Sequence, residues 1–432
     1  MTQNTILNIK EFINTKQNAK KHKKEELVSF IENLSKFTNE EITQWLKAVK
    51  TNGLDDEETS TLTLSMAQSG VMLSWEGLEP TIDKHSTGGI GDKITLLFAP
   101  LIAAYGINIP KLSGRALGFT GGTIDKLESI YGFKTNLSIG EIKEQVKKIG
   151  IAICSASGDL APADKKLYAI RDVTNTVDSI PLIASSVMSK KIAGGAKNII
   201  LDVKCGSGAF MKSLDDSVLL GTKMVSIGKN LNKNVRAVIS NMDEPLGYAI
   251  GNALEVKEVL EVLQGKEIHD LVEVVICLAK EAVSLLHKES NTPIDLEKHL
   301  RDLLLNGKAL EKFESMIVTQ GGTLKKELPS AKYMETITSS QDGYISHINA
   351  LSVGEAVHAL GAGRKQASDN IDHSVGIVLC KKYGDKVKKG EPLVQVYAKI
   401  KEDVDNIRNK LISAIIIEQN QPGKLKLIHK II

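Results

Sequence analysis

The chain has 432 residues, enough at ~100–200 residues per domain for two to four domains. Apolar residues make up 42% and charged residues 25%, which excludes a disordered polymer. A net charge of +3 and only 4% aromatic residues argue against a surface built for nucleic acid. No apolar run approaches the ~18 residues of a membrane span. The N-terminus lacks the apolar stretch of a secretion signal. Cys154, Cys205, Cys277 and Cys380 lie far apart with no CxxC spacing, which predicts a reducing, cytoplasmic setting.

The first 65 or so residues read as helices. Leu27, Phe30, Ile31 and Leu34 form one apolar stripe, and Ile42, Trp45, Leu46 and Val49 repeat it. The basic run Lys20-Lys21-His22-Lys23-Lys24 reads as a solvated helix start, and Thr38 with Glu41 as a capping box. Trp45 and Met66 are assigned to the core. From Thr81 the texture changes. Residues 94–104 and 139–149 have helical spacing. Residues 151–154 and 199–203 are short β-branched runs suited to buried parallel strands, so this region reads as α/β. Between them, 163–194 has no strand character: Leu167, Ile170, Val173 and Val177 keep a helical rhythm. This predicts a discontinuous helical lobe (1–66 with 163–194) beside an α/β lobe (67–162 with 195–335), with a ligand cleft where the chain crosses. The remainder, 336–432, reads as a hairpin-rich α+β domain. Its Gly384-Asp385-Lys386-Val387-Lys388-Lys389-Gly390-Glu391 segment resembles barrel-sandwich carrier domains, but no Met-Lys-Met-like element is present, so a structural use is expected.

Nine of the 35 glycines fall between Gly88 and Gly132. Seven of them belong to two loops. In the first, Lys84, Ser86 and Thr95 surround Gly88-Gly89-Ile90-Gly91, ahead of an apolar helix whose positive end favours an anion. The second runs from Lys111 and Ser113 through Gly121-Gly122-Thr123. Two such loops suggest one phosphate held from two sides, since each phosphate oxygen accepts several hydrogen bonds. The alternative is a pair of tight strand-to-helix turns. A third group has Tyr168 and Arg171 three apart, and Ser186 and Lys190 four apart, so each pair shares a helix face. These residues suit a planar, oxygen-rich ligand, or else form a surface ion-pair face.

Lys84-His85-Ser86-Thr87-Gly88-Gly89 and the stretch from Ser113-Gly114-Arg115 to Ser129 closely resemble the thymidine and pyrimidine-nucleoside phosphorylase family. So do Arg171-Asp172-Val173-Thr174, Ser185-Ser186-Val187-Met188-Ser189-Lys190-Lys191, and residues 202–211 and 245–258, over a span from about residue 65 to the C-terminus. The resemblance implies a helical lobe and a larger α/β lobe with a central mixed sheet, closing on phosphate and nucleoside, usually in a homodimer. It implies reversible phosphorolysis of pyrimidine nucleosides to free base and (deoxy)ribose 1-phosphate, with phosphate as co-substrate and no organic cofactor. Lys84, Ser86, Thr95, Lys111, Ser113 and Thr123 would then bind phosphate, and Tyr168, Arg171, Ser186 and Lys190 the nucleoside. His85 would be the catalytic histidine, giving a proton or hydrogen bond to the base carbonyl at position 2, while Arg171 and Lys190 stabilise charge on the base.

Three positions depart from the family pattern. Ala116 and Phe119 replace a Gly and a His. Lys93 replaces a Thr that helps hold potassium together with Gly91, Leu246, Ala249 and Glu258; the expectation is that the Lys93 ammonium takes the cation's place and pairs with Glu258. Lys111 and residues 246–258 favour an enzyme accepting uridine, thymidine and deoxyuridine, and the missing Thr leaves a thymidine-restricted enzyme open. An anthranilate-type phosphoribosyltransferase and a non-catalytic carrier are the other classes considered.

Overall fold

The computed structural model describes residues 7–115, 121–156, 158–286, 295–364, 366 and 369–432. Four helices come first: α1 (Ile9–Gln17), α2 (Lys24–Glu32), α3 (Asn39–Asn52) and α4 (Asp56–Gln68). The α3 capping box forms as expected. The Glu41 N–H donates to the Thr38 hydroxyl, and the Thr38 N–H to the Glu41 carboxylate at 2.9 Å. Trp45 and Met66 are buried, as the apolar stripes require. The lysines of the basic run are exposed, but His22 within it is buried. It stacks on Phe12 with ring centroids 3.9 Å apart and accepts a hydrogen bond from Trp45 Nε1–H at 3.0 Å.

The α/β region follows: β1 (Asp83–Ser86), α5 (Ile94–Tyr105), β2 (Ile109–Ser113), α6 (Thr123–Leu127), α7 (Ile139–Ile149) and β3 (Ile151–Ser155). Then come α8 (Pro162–Val173), α9 (Ile180–Ala193), β4 (Asn198–Cys205), α10 (Leu214–Asn230) and β5 (Asn234–Asn241). β1 pairs in parallel with β4, β4 with β5, and β2 with β3; a parallel bridge from Thr81 to Asn108 joins the two groups. The strands therefore run β3, β2, β1, β4, β5. β4 is buried along its whole length, as a central parallel strand covered on both faces should be. After β1 the chain moves to one side of the sheet, and β4 lies on the other. β1 thus sits where the strand order reverses, the position at which open parallel sheets bind ligands beyond their carboxyl ends.

The segment between β3 and β4 packs back on the N-terminal helices. Leu167 and Ile170 of α8 and Leu182 of α9 join Phe12, Leu27, Trp45 and Leu62 in one apolar cluster. Ala184, Met188 and Ile192 of α9 belong instead to the cluster under the sheet, with Ile199 and Leu201. α9 therefore has one end in each core.

β6 (Ala249–Ile250) is followed by α11 (Asn252–Leu263), α12 (His269–Leu286), α13 (Leu296–Leu305) and α14 (Lys308–Thr319). The rest is α+β: β7 (Tyr333–Thr338), β8 (Gly343–Ile348), α15 (Ala350–Val357), β9 (Gly376–Leu379), β10 (Lys386–Val387), β11 (Pro392–Ala398), α16 (Lys401–Ala414), β12 (Ile415–Glu418) and β13 (Ile428–Ile431). Two small sheets, β6-β9-β11-β7 and β10-β8-β12, enclose its core. The glycine-flanked segment 384–391 lies in the connection between β9 and β11 and carries β10, with Gly384 and Gly390 both at φ 86°.

The expected unit 336–432 needs one amendment. β13 leaves it and pairs antiparallel with β5, Ile428 opposite Ser240 and Ile431 opposite Val238. β6, from the preceding region, pairs in turn with β9. The physical reason is that β5 would otherwise present an unpaired row of N–H and C=O groups. This strand makes the central sheet mixed. Among the described residues no helix is long and apolar enough to cross a membrane.

Candidate active site at the carboxyl end of the first strand

Successive side chains of a strand point to opposite faces. On β1 this separates Lys84 and Ser86 from Asp83 and His85. The Lys84 ammonium lies 3.2 Å from Asp202 Oδ2 and 3.4 Å from the Thr95 hydroxyl on the first turn of α5. Asp202 is shared: Lys204 Nζ is 2.9 Å from the same oxygen, and the Ser240 hydroxyl donates to Oδ1 at 2.6 Å. The Ser86 hydroxyl donates to Asp92 Oδ2 at 2.5 Å and accepts from the Gly88 N–H at 3.1 Å. Burial alone would raise the Asp92 carboxyl, but Lys204 and Lys84 and the Ser86 hydrogen bond hold it far below the usual carboxylate range. Lys84, Ser86 and Thr95 are thus brought together beside a fixed pair of carboxylates.

The two glycine loops face one another. Lys126, buried in α6, donates to Asp92 O at 3.0 Å in the first loop and to Gly121 O at 2.9 Å in the second, and lies 3.2 Å from Glu255. Ser113 ends β2 and Thr123 opens α6, both half-buried. Ala116 and Phe119 lie outside the described residues. Arg115 is occupied with Glu128 and Asp125.

The opposite face of β1 meets α9. Asp83 Oδ2 is 2.8 Å from Lys191 Nζ, and its Oδ1 is 3.6 Å from Lys111 Nζ. Lys111 Nζ also donates to Leu112 O at 2.7 Å; it stands two residues before Ser113, on the same face of β2. Burial, reinforced by Lys191, pushes the Lys111 ammonium down to about 7 against the pull of Asp83. His85 shares this face. Burial and then the charges of Lys191, Lys111, Lys84 and Lys190 hold its imidazole well below the ordinary value, so it is neutral near pH 7.

The helix pair is divided: Arg171 is buried, whereas Lys190 is exposed and held in an ion pair. Arg171 is 3% exposed, and its guanidinium donates to Thr176 O, Leu182 O and Val177 O at 3.2, 3.1 and 2.8 Å. Three of its five N–H groups fix the connection between α8 and α9, which leaves two for a ligand. Tyr168 is exposed beside it, its ring centre 5.9 Å from the guanidinium carbon. Lys190 Nζ donates to Ser186 Oγ and Ser186 O, both at 2.9 Å, and pairs with Asp164. Asp164 lies outside the strings singled out in the sequence, and Asp83 and Asp202 lie inside them without an assigned role. The available signal was the unpaired charge of Lys84, Lys190 and Lys191, since a cation in an apolar segment needs a partner.

Lys93 is fully buried. Its ammonium donates to Leu246 O at 2.7 Å, Ala249 O at 2.9 Å and Glu258 Oε2 at 2.6 Å. These are three of the four groups that the family resemblance assigns to potassium. The fourth, Gly91, at φ 71°, lies so close that a Cβ there would come 2.6 Å from Leu246 O. The point on which the oxygens converge is taken by the ammonium, so this site does not fit a bound potassium ion.

A glycine-rich loop at the switch point of the sheet, with a helix pair carrying Arg171 and Lys190 beside it, gives a two-lobed α/β fold. The glycosyl transferase family a/b domain matches residues 78–310, and the pyrimidine nucleoside phosphorylase C-terminal domain matches 344–418. The chain is 46% identical to the pyrimidine-nucleoside phosphorylase of Staphylococcus epidermidis, covering 98% of this chain and 99% of that one. It is 45% identical to the Bacillus subtilis enzyme of the same name, again over 98% and 99%. Among solved structures, anthranilate phosphoribosyltransferase from Thermus thermophilus matches with a TM-score of 0.57 at 16% identity, over 71% of this chain and 98% of that one, a likeness of fold alone. The chain belongs to the pyrimidine-nucleoside phosphorylase family.

Proposed function

We propose that this protein catalyses the reversible phosphorolysis of pyrimidine nucleosides, with uridine, thymidine and deoxyuridine as substrates. The observation that carries the reading is the division of β1. Lys84 and Ser86 turn toward the anion loops, and His85 turns to the opposite face, close enough to α9 for the charges of Lys190 and Lys191 to act on it. The kinship with enzymes of that name supports it.

In this reading phosphate binds against Lys84, Ser86, Thr95, Ser113 and Thr123, with Lys111 as a further contact. The loops replace its water and hold one oxygen below the anomeric carbon, converting a bimolecular attack into a positioned one. As the C–N bond breaks, positive charge grows on the sugar and negative charge on the departing base. The free N–H groups of Arg171 and the Lys190 ammonium stabilise the base where that charge develops. His85 is neutral in its setting of four lysines, so it gives a hydrogen bond to the base carbonyl at position 2 rather than a full proton. No organic cofactor enters, and Lys93 stands where a monovalent cation would. A cytoplasmic homodimer serving nucleoside salvage is the expected setting. The direct test is release of free base from thymidine, uridine and deoxyuridine, side by side, with and without phosphate. Release without phosphate, or none with it, overturns the reading; release from thymidine alone restricts it.

A further inference from the structure

The loop 245–249 is held from both sides by buried ammoniums. Lys93, at the end of the first glycine loop, takes the carbonyls of Leu246 and Ala249. Lys382, from the C-terminal α+β region, takes those of Pro245 at 2.5 Å and Gly247 at 3.1 Å, with Asp270 and Glu244 as its carboxylate partners at 3.1 and 3.2 Å. Glu258 closes the Lys93 side by accepting the N–H groups of Tyr248 at 2.8 Å and Ala249 at 3.2 Å. Gly247 has φ 66°, and a Cβ there would stand 2.3 Å from Glu258 Oε2 and 2.8 Å from Lys93 Nζ, so only glycine lets the two charges meet. The same loop rests on the anion turn: Leu246 N–H donates to Ile90 O at 3.1 Å.

An ammonium has three N–H donors and no acceptor, and all three of Lys93's are used. Two carbonyls and a carboxylate around one buried positive charge are also the donor set of a hard monovalent cation. We infer that Lys93 is a tethered monovalent cation. It orders the 245–249 loop, and through it the turn at Ile90 and Gly91, without any metal ion, and the Leu246, Ala249 and Glu258 oxygens remain a latent cation site. Lys93 is thereby a positioning residue. The chain gains independence from the ionic composition of its surroundings, at the cost of fixing the loop permanently in one state.

The test compares the full-length protein with Lys93→Thr and Lys93→Met, in potassium chloride and in tetramethylammonium chloride at equal ionic strength. Two readouts are taken: the thermal unfolding midpoint and the KM for phosphate. The first is independent of the phosphorolysis proposal; the second rests on it. The wild type should give the same midpoint and KM in both salts. Lys93→Thr should lose roughly 6–20 °C in tetramethylammonium, the scale for a buried charge left without its partner. Potassium should restore most of that loss saturably, and with it the KM for phosphate. Lys93→Met fills the space without a charge and should be destabilised in both salts. Potassium stimulation of the wild type overturns the inference. So does a Lys93→Thr midpoint that ignores potassium. If neither variant can be purified, the wild-type comparison alone decides, because a cation-dependent midpoint there would mean that the ammonium does not occupy the site.

Discussion

Replacing Asp202 by Asn keeps the side-chain shape and removes the carboxylate that pairs directly with two fully buried ammoniums. Asp202, Lys84 and Lys204 have no exposed side-chain surface, with Lys84 at 3.2 Å and Lys204 at 2.9 Å from the same carboxylate oxygen. At an effective dielectric of ~20, each pair attracts by roughly 5 kcal/mol before desolvation is counted. Removing one partner of such a buried pair leaves a net cost of about 3–5 kcal/mol. At ~2–4 °C per kcal/mol for a lobe of ~200 residues, the unfolding midpoint should drop by roughly 6–20 °C. Phosphate supplies a second signature. A dianion beside Lys84 replaces part of the missing charge, so added phosphate should raise the midpoint of Asp202→Asn more than that of the wild type. Differential scanning calorimetry with and without phosphate reads both effects. A midpoint within ~2 °C of wild type would refute the buried-charge argument. Equal stabilisation of both proteins by phosphate would refute the placement of the anion beside Lys84.

His85→Ala should lower kcat by about 10²–10³-fold while leaving the KM for phosphate within about twofold, as expected for loss of a donor aimed at the departing base. Because His85 is held neutral, the wild-type kcat should show no break near pH 6.5 that His85→Gln removes; steady-state pH profiles decide this. Lys111, at about 7 in the folded protein against ~10.4 unfolded, binds fewer protons when folded across that window. Stability should therefore rise with pH from 7 toward 10, and urea titrations of Lys111→Met should lack that rise. Deleting residues 427–432 bares the edge of β5 and should produce aggregation or strand-paired dimers, visible by light scattering.

Much of the site was legible because its signals are local. The glycine loops, the Thr38 box, α5 and the i, i+4 pairing of Ser186 with Lys190 are set by neighbours in sequence. The pairing of Lys93 with Glu258, 165 residues apart, could be read only through the family pattern, and the structure makes it direct. What was missed has no local period. Asp164 is a single acidic residue in ordinary surroundings until the fold brings it to Lys190, and Asp83 and Asp202, though inside legible strings, meet Lys191 and Lys84 from other elements. His22 hides in a basic run because a buried imidazole depends on the rings of Phe12 and Trp45, which come from other helices. β13 is too short and mixed to announce that it closes a distant sheet edge.

The double membership of α9 has a consequence for how the molecule is made. The N-terminal helices cannot bury Phe12, Trp45 and Leu62 fully until Leu167, Ile170 and Leu182 arrive more than 100 residues later. Those residues come tethered to β3 and β4, so the helical core is completed by closing a long loop through the sheet. Loop entropy grows slowly, by ~0.6 kcal/mol per doubling of length, and costs little stability. It does cost time, since contacts between distant parts of a chain form late. Arg171 and Lys190 therefore reach their places only when both cores have come together. A protein caught partway would have its sheet and glycine loops before it had anything with which to hold a base.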